Sequence, residues 1–447
     1  MKNPSYKSIF MLYLPLALSW MTIVFEASLI NAFLARGPEP EISLAAYGVA
    51  FSIMMVLHSP VIMILDVSIA LSKGRPAFRS IRRFGLAVGA TVTTASLILT
   101  FTPLCGFVLC DLMNTPPTVA EATVPILRIV NLVAIPIGWR RIYQGVLIRY
   151  GRTTMISVAT GARLVVISLA MLIGQRLAIL PGGAMGALAM FMGVVVESLL
   201  NQWAARPTIH KQLTSEVTTS GTLTFSYLTH FYIPLATTMV IRHAMHPVIN
   251  AGIGAASLSV LSLAAWPVSL SLINIFTGPT MGLQQLTIAL VEDDRSWRTV
   301  SRFVLMAGLG VTACLVFVSF TPLLWFVLGR LFGLQPHVAA VAAPAIRIMA
   351  LMPLTYALQG LYTGLMVKRS DTVSVRTAKT LNLVAIGLTL VLLLRGTTFV
   401  GSVVAAVAMT TGTLVETAWF YWRGRRAAAV LAGPREEMGT AAQAEVH

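Results

Sequence analysis

Charge is scarce in this chain, and acid is scarcest. Of its 447 residues only 11% are charged, with 16 Asp and Glu against 32 Lys and Arg, while 56% are hydrophobic. Soluble domains carry about a quarter charged residues, and no globular core could bury this much apolar surface. The three cysteines, Cys105, Cys110 and Cys314, fit neither a disulfide framework nor a metal-ligand spacing. The chain has no G-x-x-x-x-G-K-[ST] loop, no H-E-x-x-H pair and no C-x-x-C. Nothing therefore points to ATP hydrolysis or to another enzymatic activity, and no cofactor or metal is expected.

What is present is apolar sequence in long runs, at a mean hydropathy of +0.81. Twelve candidate helices fall near 8–35, 44–72, 83–110, 120–148, 153–180, 182–205, 222–250, 256–290, 299–328, 338–367, 372–395 and 399–423. Lipid offers backbone groups no partner, so runs of this length read as helices and the fold class as all-α, polytopic and membrane-spanning. The first run is too long for a signal peptide, and Glu26 interrupts it.

The net charge of +16 invites a nucleic-acid partner, but the placement of the charges argues against one. Twenty of the 32 basic residues cluster on one side of an alternating topology, in 73–83, 149–152, 206–211, 295–302, 368–369, 423–435 and near the start. Four lie on the other side: Arg36, Arg176, Arg330 and Arg395. This asymmetry places both termini in the cytoplasm, with the chain in the cytoplasmic (inner) membrane. The basic face also attracts anionic membrane lipid.

The chain repeats itself. YLPLA (13–17) matches YIPLA (232–236), and SLAA (43–46) recurs at 262–265. FTPLCGFVL (101–109) recurs as FTPLLWFVL (320–328), PILRI (125–129) as PAIRI (344–348), and AMFMGVVVE (189–197) as AMTTGTLVE (408–416). Every pair is 219 positions apart, with no gap. The expected architecture is an N-terminal six-helix lobe over 1–211, a cytoplasmic linker over 212–221 and a C-terminal lobe over 222–426, followed by a disordered tail over 427–447. An even number of helices per copy orients both lobes alike, related by an axis along the membrane normal, with a cleft between them.

Eight cations remain inside the spans: Arg128, Arg140, Arg141, Arg163, Arg242, Arg347, Arg376 and Lys379. Four acids accompany them: Glu26, Asp66, Glu197 and Glu416. A charge at the bilayer centre costs about 3 kcal/mol or more, so such groups face protein or water. Glu197 and Glu416 are repeat mates, as are Arg128 and Arg347, and a feature kept in both copies reads first as a lock within each lobe. The paired arginines also suit an anion held between the lobes. Arg242, His243 and His246 have apolar mates, and Glu26 has Met245, so these four read as a site peculiar to the intact pair of lobes. Arg163 and Lys379 likewise lack charged mates. The interior surplus of four positive charges favours an anionic solute, whose oxygens match guanidinium forks.

Several stretches resemble the progressive ankylosis protein family: LAAYGVAFSIMMVLHSP (44–60), RIMALMPLTYALQGLYTGLM (347–366), GTLVETA (412–418) and RHAMHPVIN (242–250). That family is similar to the larger superfamily of multidrug extruders, lipid flippases and polysaccharide exporters. The resemblance implies a MATE-like pair of lobes and efflux of small anions, with pyrophosphate, nucleotide and citrate associated with animal members. The chain departs from the pattern at His246, where a fixed charge becomes titratable. It departs again at Glu26, about one position from the family's first-helix acid.

The expected protein is thus a monomeric alternating-access transporter of a small anionic solute. Arg242, His243, His246, Arg163, Lys379, Arg128 and Arg347 would bind the anion. Glu26 and Asp66 would couple or gate, with a proton or sodium ion as coupling partner. Asn31 and Asn250 would steady the outer ends of the first and seventh helices. Other readings use the same residues: a cation or drug extruder resting on Glu26 and Asp66, a flippase of a pyrophosphate-linked lipid, or a static scaffold.

Overall fold

A computed structural model describes residues 6–72, 74–150, 152–177, 180–213, 223–369 and 371–432. The expected linker beyond residue 213 and the tail beyond residue 432 lie outside them. In the first half α1 spans Tyr6–Leu34, α2 Pro40–Leu71, α3 Arg75–Phe101, α4 Pro117–Arg149, α5 Thr153–Leu177 and α6 Gly182–Lys211. In the second, α7 spans Phe225–Gly254, α8 Ser259–Leu290, α9 Asp294–Phe320, α10 Pro336–Lys368, α11 Thr372–Gly396 and α12 Gly401–Ala432. Ten of these are apolar and long enough to cross a membrane, and α1 and α7, of 29 and 30 residues, match them in length. α12 runs past the expected lobe boundary at 426, because the Ala-rich stretch after Arg426 favours helix.

The duplication is written into the backbone. Each helix start in the first half has its counterpart 219 residues on: Tyr6 and Phe225, Pro40 and Ser259, Arg75 and Asp294, Pro117 and Pro336, Thr153 and Thr372, Gly182 and Gly401. Both fourth helices pass through a 3₁₀ turn, at Asn131–Val133 and Met349–Leu351. Left-handed backbone recurs at the same offset, at Glu39 and Leu258 before the second helices, and at Asn114 and Gly333 before the fourth. Prolines at N1 or N2 of α2, α3, α4 and α10 start those helices where a missing N–H costs nothing.

The outer surface is greasy. Phe101, Leu172, Ile173, Phe317, Leu388 and Leu392 are all exposed, as lipid-facing side chains must be.

The first helix of each lobe packs on the second helix of the other copy. α1 packs chiefly along α8 of the other lobe and much less on α2; α7 lies along α2 more than α8, while keeping contact with α11 and α12 of its own lobe. The exchange is reciprocal in detail. Tyr13 of α1 meets Phe303 of α9 edge-on at 5.5 Å, and their repeat mates Tyr232 and Phe84 meet at 5.3 Å. Toward the face away from the termini, Asn31 Nδ2 donates to Pro267 O (3.2 Å) and Ser271 Oγ (2.9 Å), while its mate Asn250 donates to Gly48 O (3.4 Å). Gly48 and Pro267 are themselves repeat mates. They touch so closely that a Cβ on Gly48 would stand 2.5 Å from Pro267 Cγ. The pseudo-two-fold axis passes between them.

That face carries further ties between the lobes. Arg36 donates to the carbonyls of Arg330, Leu331 and Phe332, at 2.7, 2.7 and 3.1 Å. Glu41 pairs with His337.

Candidate functional site

In each lobe the sixth helix buries one glutamate against the fifth. A glycine one turn earlier permits the approach: a Cβ on Gly193 would meet Ile167 Cγ1 at 2.7 Å, and one on its mate Gly412 would meet Ile386 Cγ1 at 2.6 Å. Glu197, 2% exposed, accepts from Arg140, from Arg163 (3.0 Å), from Gln144 (3.2 Å) and from Thr160 (3.1 Å). Glu416, 3% exposed, accepts from Lys379 and from Asn382 (2.8 Å). Thr160 and Lys379 are repeat mates, as are Arg163 and Asn382, so the same two positions of the fifth helix hold the acid in both lobes.

The two nodes differ in reach. Arg163 is forked between Glu197 and Glu26 of α1. Its mate Asn382 has no charge with which to reach α7. Arg140 reinforces the first node, whereas its mate Gln359 turns to Thr413 O and Thr417 Oγ1. Arg141 donates to Gln144 Oε1 at 3.2 Å and lies in the field of Asp66, which is exposed.

These contacts involve half of the interior cations. Arg140 and Arg163 match Glu26 and Glu197, and Lys379 matches Glu416, while Arg141 has no described carboxylate within 4.0 Å and lies in the field of Asp66. Four cations remain. Arg128 and Arg347 are exposed and lie over the rings of Phe101 and Phe320, at 5.1 and 5.9 Å. Arg376 is exposed in the second turn of α11, beside the face that carries the termini. The fourth is Arg242.

Arg242 is exposed near the middle of α7, and among the described residues it has no carboxylate within 4.0 Å. Its charge acts on His243 and His246 and on Tyr356 of α10, which also senses Glu416. The His243 and His246 rings stack at 6.3 Å, and His243 Nδ1 lies 3.0 Å from Met239 O. α7 continues as helix through Pro247 to Gly254.

The structure thus brings Arg242, His243 and His246 together, as expected. It sets Arg163 and Lys379 apart, each against a buried acid of its own lobe. Glu26 turns to Arg163 rather than to Arg242. Arg128 and Arg347 sit against aromatic rings at the ends of α3 and α9, away from the cluster. Asn31 and Asn250 bridge the lobes. Gln144, Thr160, Asn382 and Tyr356 were missed, and for Thr160 and Asn382 a signal existed: both stand opposite charged residues in the repeat alignment.

The family model described as progressive ankylosis protein (ANKH) matches residues 1–255 and 216–420. Among solved structures, an inward-facing multidrug resistance MATE family transporter of the MOP superfamily superposes with a TM-score of 0.69 at 15% identity, covering 94% of this chain and 98% of that one. A MOP superfamily transporter from Pyrococcus furiosus, described as having a binding pocket of reverse polarity, gives 0.66 at 15% identity, covering 97% and 100%. The lipid II flippase MurJ in an inward closed conformation gives 0.66 at 12% identity, covering 94% and 90%.

Proposed function

The chain belongs to the progressive ankylosis protein (ANKH) family, and from that premise we propose that it carries a multivalent anion across the membrane by alternating access, with Arg242 as the charge that receives it. Family and fold support a membrane transporter. The observation that carries the anion is the position of Arg242: a fixed cation within an apolar helix, unmatched by any described carboxylate, at a cost of about 3 kcal/mol unless it faces water or a counter-ion. His246 and His243 add donors beside it that gain charge on protonation.

Glu26 and Arg163 provide the link to movement. α1 lies along the opposite lobe yet is tied to α5 of its own lobe through this pair and through Gln175 Nε2, which donates to Phe33 O at 2.8 Å, so an anion drawing Arg163 away removes the charged tie between α1 and α5. Lys379 offers a second charge on the C-terminal side if Glu416 releases it. In this reading both termini are cytoplasmic, because the basic loops lie on that side. The lobes comprise residues 1–211 and 222–426, and the direction is export.

The test is flux in liposomes of the purified protein. Labelled citrate, pyrophosphate and ATP are compared with a quaternary ammonium dye, using wild type, Arg242→Lys and Arg242→Ala. Anion flux that survives in the lysine variant and falls at least tenfold in the alanine variant supports the reading. Dye flux unaffected by Arg242→Ala and abolished by Glu26→Gln would replace it with a cation extruder.

A further inference from the structure

The N-terminal lobe holds a second basic cluster, on helices other than the one that bears Arg242. At the termini-bearing ends of α3, α4 and α6 lies a cavity of about 310 Å³, at the small end of the range of about 300–1,000 Å³ usual for ligand sites. Arg75, Arg79 and Arg82 of α3 and Arg206 and His210 of α6 line it, and no carboxylate does. Three of the arginines follow at helical spacing along one face of α3, so their guanidinium groups converge there rather than spreading round the helix. Tyr143 presents its phenol to the same space, within the field of Arg82 and Arg206. Arg75 anchors the rim by donating to His210 O at 2.8 Å.

The positive-inside rule alone would account for basic residues at this face, and the other lobe supplies the control. The repeat mates of Arg79 and Arg206 are Arg298 and Arg425, so the charge is kept in both copies. There, however, each is occupied. Asp294 stands where Arg75 does and pairs with Arg298 at 2.7 Å. Tyr421 replaces Gln202 and lies beneath Arg425, 5.5 Å from its guanidinium carbon. Trp297 replaces Phe78, and its ring packs on Tyr362, which packs in turn on Tyr421, each at 6.0 Å. One lobe pairs these positions with rings and a carboxylate; the other gathers them, without a carboxylate, around a basic cavity.

We propose that this cavity binds a phosphomonoester or pyrophosphate group. Several guanidinium forks, a phenol and an imidazole around a small volume match the many oxygens and double charge of such a group. A free phosphorylated solute and the headgroup of a membrane lipid share this chemistry, and the cavity lies where helix ends meet the bilayer surface.

The experiment uses full-length protein carrying Arg242→Ala, so that the proposed transport site does not contribute. Binding of inorganic pyrophosphate is measured by calorimetry in detergent. Binding of phosphatidic acid is measured by native mass spectrometry from nanodiscs, with phosphatidylserine as the lipid lacking a phosphomonoester. Each is repeated with Arg79→Gln/Arg206→Gln and with the mate pair Arg298→Gln/Arg425→Gln. Affinity for pyrophosphate, phosphatidic acid or both that falls at least tenfold in the first pair and holds in the second is expected, and the probe affected identifies the source. No binding of either probe, no preference for phosphatidic acid over phosphatidylserine without pyrophosphate binding, or equal losses in both pairs would overturn the proposal. Unchanged elution on size exclusion confirms that the variants fold.

Discussion

Glu26 and Arg163 pair within the N-terminal lobe although α1, which bears Glu26, lies mainly against the C-terminal lobe. One ion pair thus joins a helix packed on one lobe to the body of the other. Glu26→Gln leaves packing intact but removes the charge, and hydrogen bonds to charged groups contribute about 1.5–3 kcal/mol. Transport is expected to slow roughly tenfold or more. Flux at wild-type rate would remove the pair from the mechanism.

Glu197 and Glu416 occupy the same place in two lobes but should not weigh equally. Glu197 is held by two arginines inside the N-terminal lobe, with side chains 8% and 14% exposed. Glu197→Gln leaves Arg140 without its carboxylate and Arg163 with Glu26 alone, and breaking a buried pair costs about 3–5 kcal/mol. Lys379 has a side chain 32% exposed and can turn to water. Glu416→Gln should therefore cost only about 1 kcal/mol, keeping a hydrogen bond to Asn382. Thermal denaturation in one detergent compares them directly, and equal midpoints would contradict the asymmetry.

Gly48 and Pro267 offer a lock. A Cβ on Gly48 would lie 3.7 Å from Pro267 Cβ, within the range of about 3.5–4.5 Å that a disulfide spans. With Cys105, Cys110 and Cys314 replaced by serine, Gly48→Cys/Pro267→Cys should oxidise to a form that does not transport and recover on reduction. Transport by the fully oxidised protein would mean that the lobes do not part at this point.

Glu39 and Leu258 hold left-handed backbone, at φ 44° and 52°, without being glycine. Such a conformation costs a side-chain-bearing residue about 1–2 kcal/mol. Leu258 is 55% exposed, so little burial is lost by truncating it. Leu258→Gly and Glu39→Gly should each stabilise the protein by about 0.5–1 kcal/mol, whereas Gly333→Ala, at φ 77°, should destabilise it. A lower melting temperature for both glycine variants would refute this.

Much of this was legible in the sequence, because a gapless duplication ties every helix start to its mate. Arg242, His243 and His246 stood out because nothing polar surrounds them in α7. The partners of Arg163 and Lys379 did not, since pairing depends on which face of the fifth helix meets the sixth, and that rotation is set by contacts such as Gly193 on Ile167. The exchange of α1 and α7 was also hidden: a repeat declares two equal units, and equal units pair the same way whether their first helices stay or cross. Arg79 and Arg206 were visible only as topology charges, because a sequence does not show that their mates Arg298 and Arg425 meet Asp294 and Tyr421 in the other half.

The crossing of α1 has a consequence for biogenesis. Its main partner, α8, begins at Ser259, so at chain growth of about 5–20 residues per second α1 waits on the order of ten to fifty seconds in the bilayer before the surface it will cover exists. During that interval Glu26 has one described partner already made, Arg163 of α5. The same pair that links the lobes in the finished transporter is thus also placed to hold the first helix, charged and half-covered, until the second lobe arrives to take it.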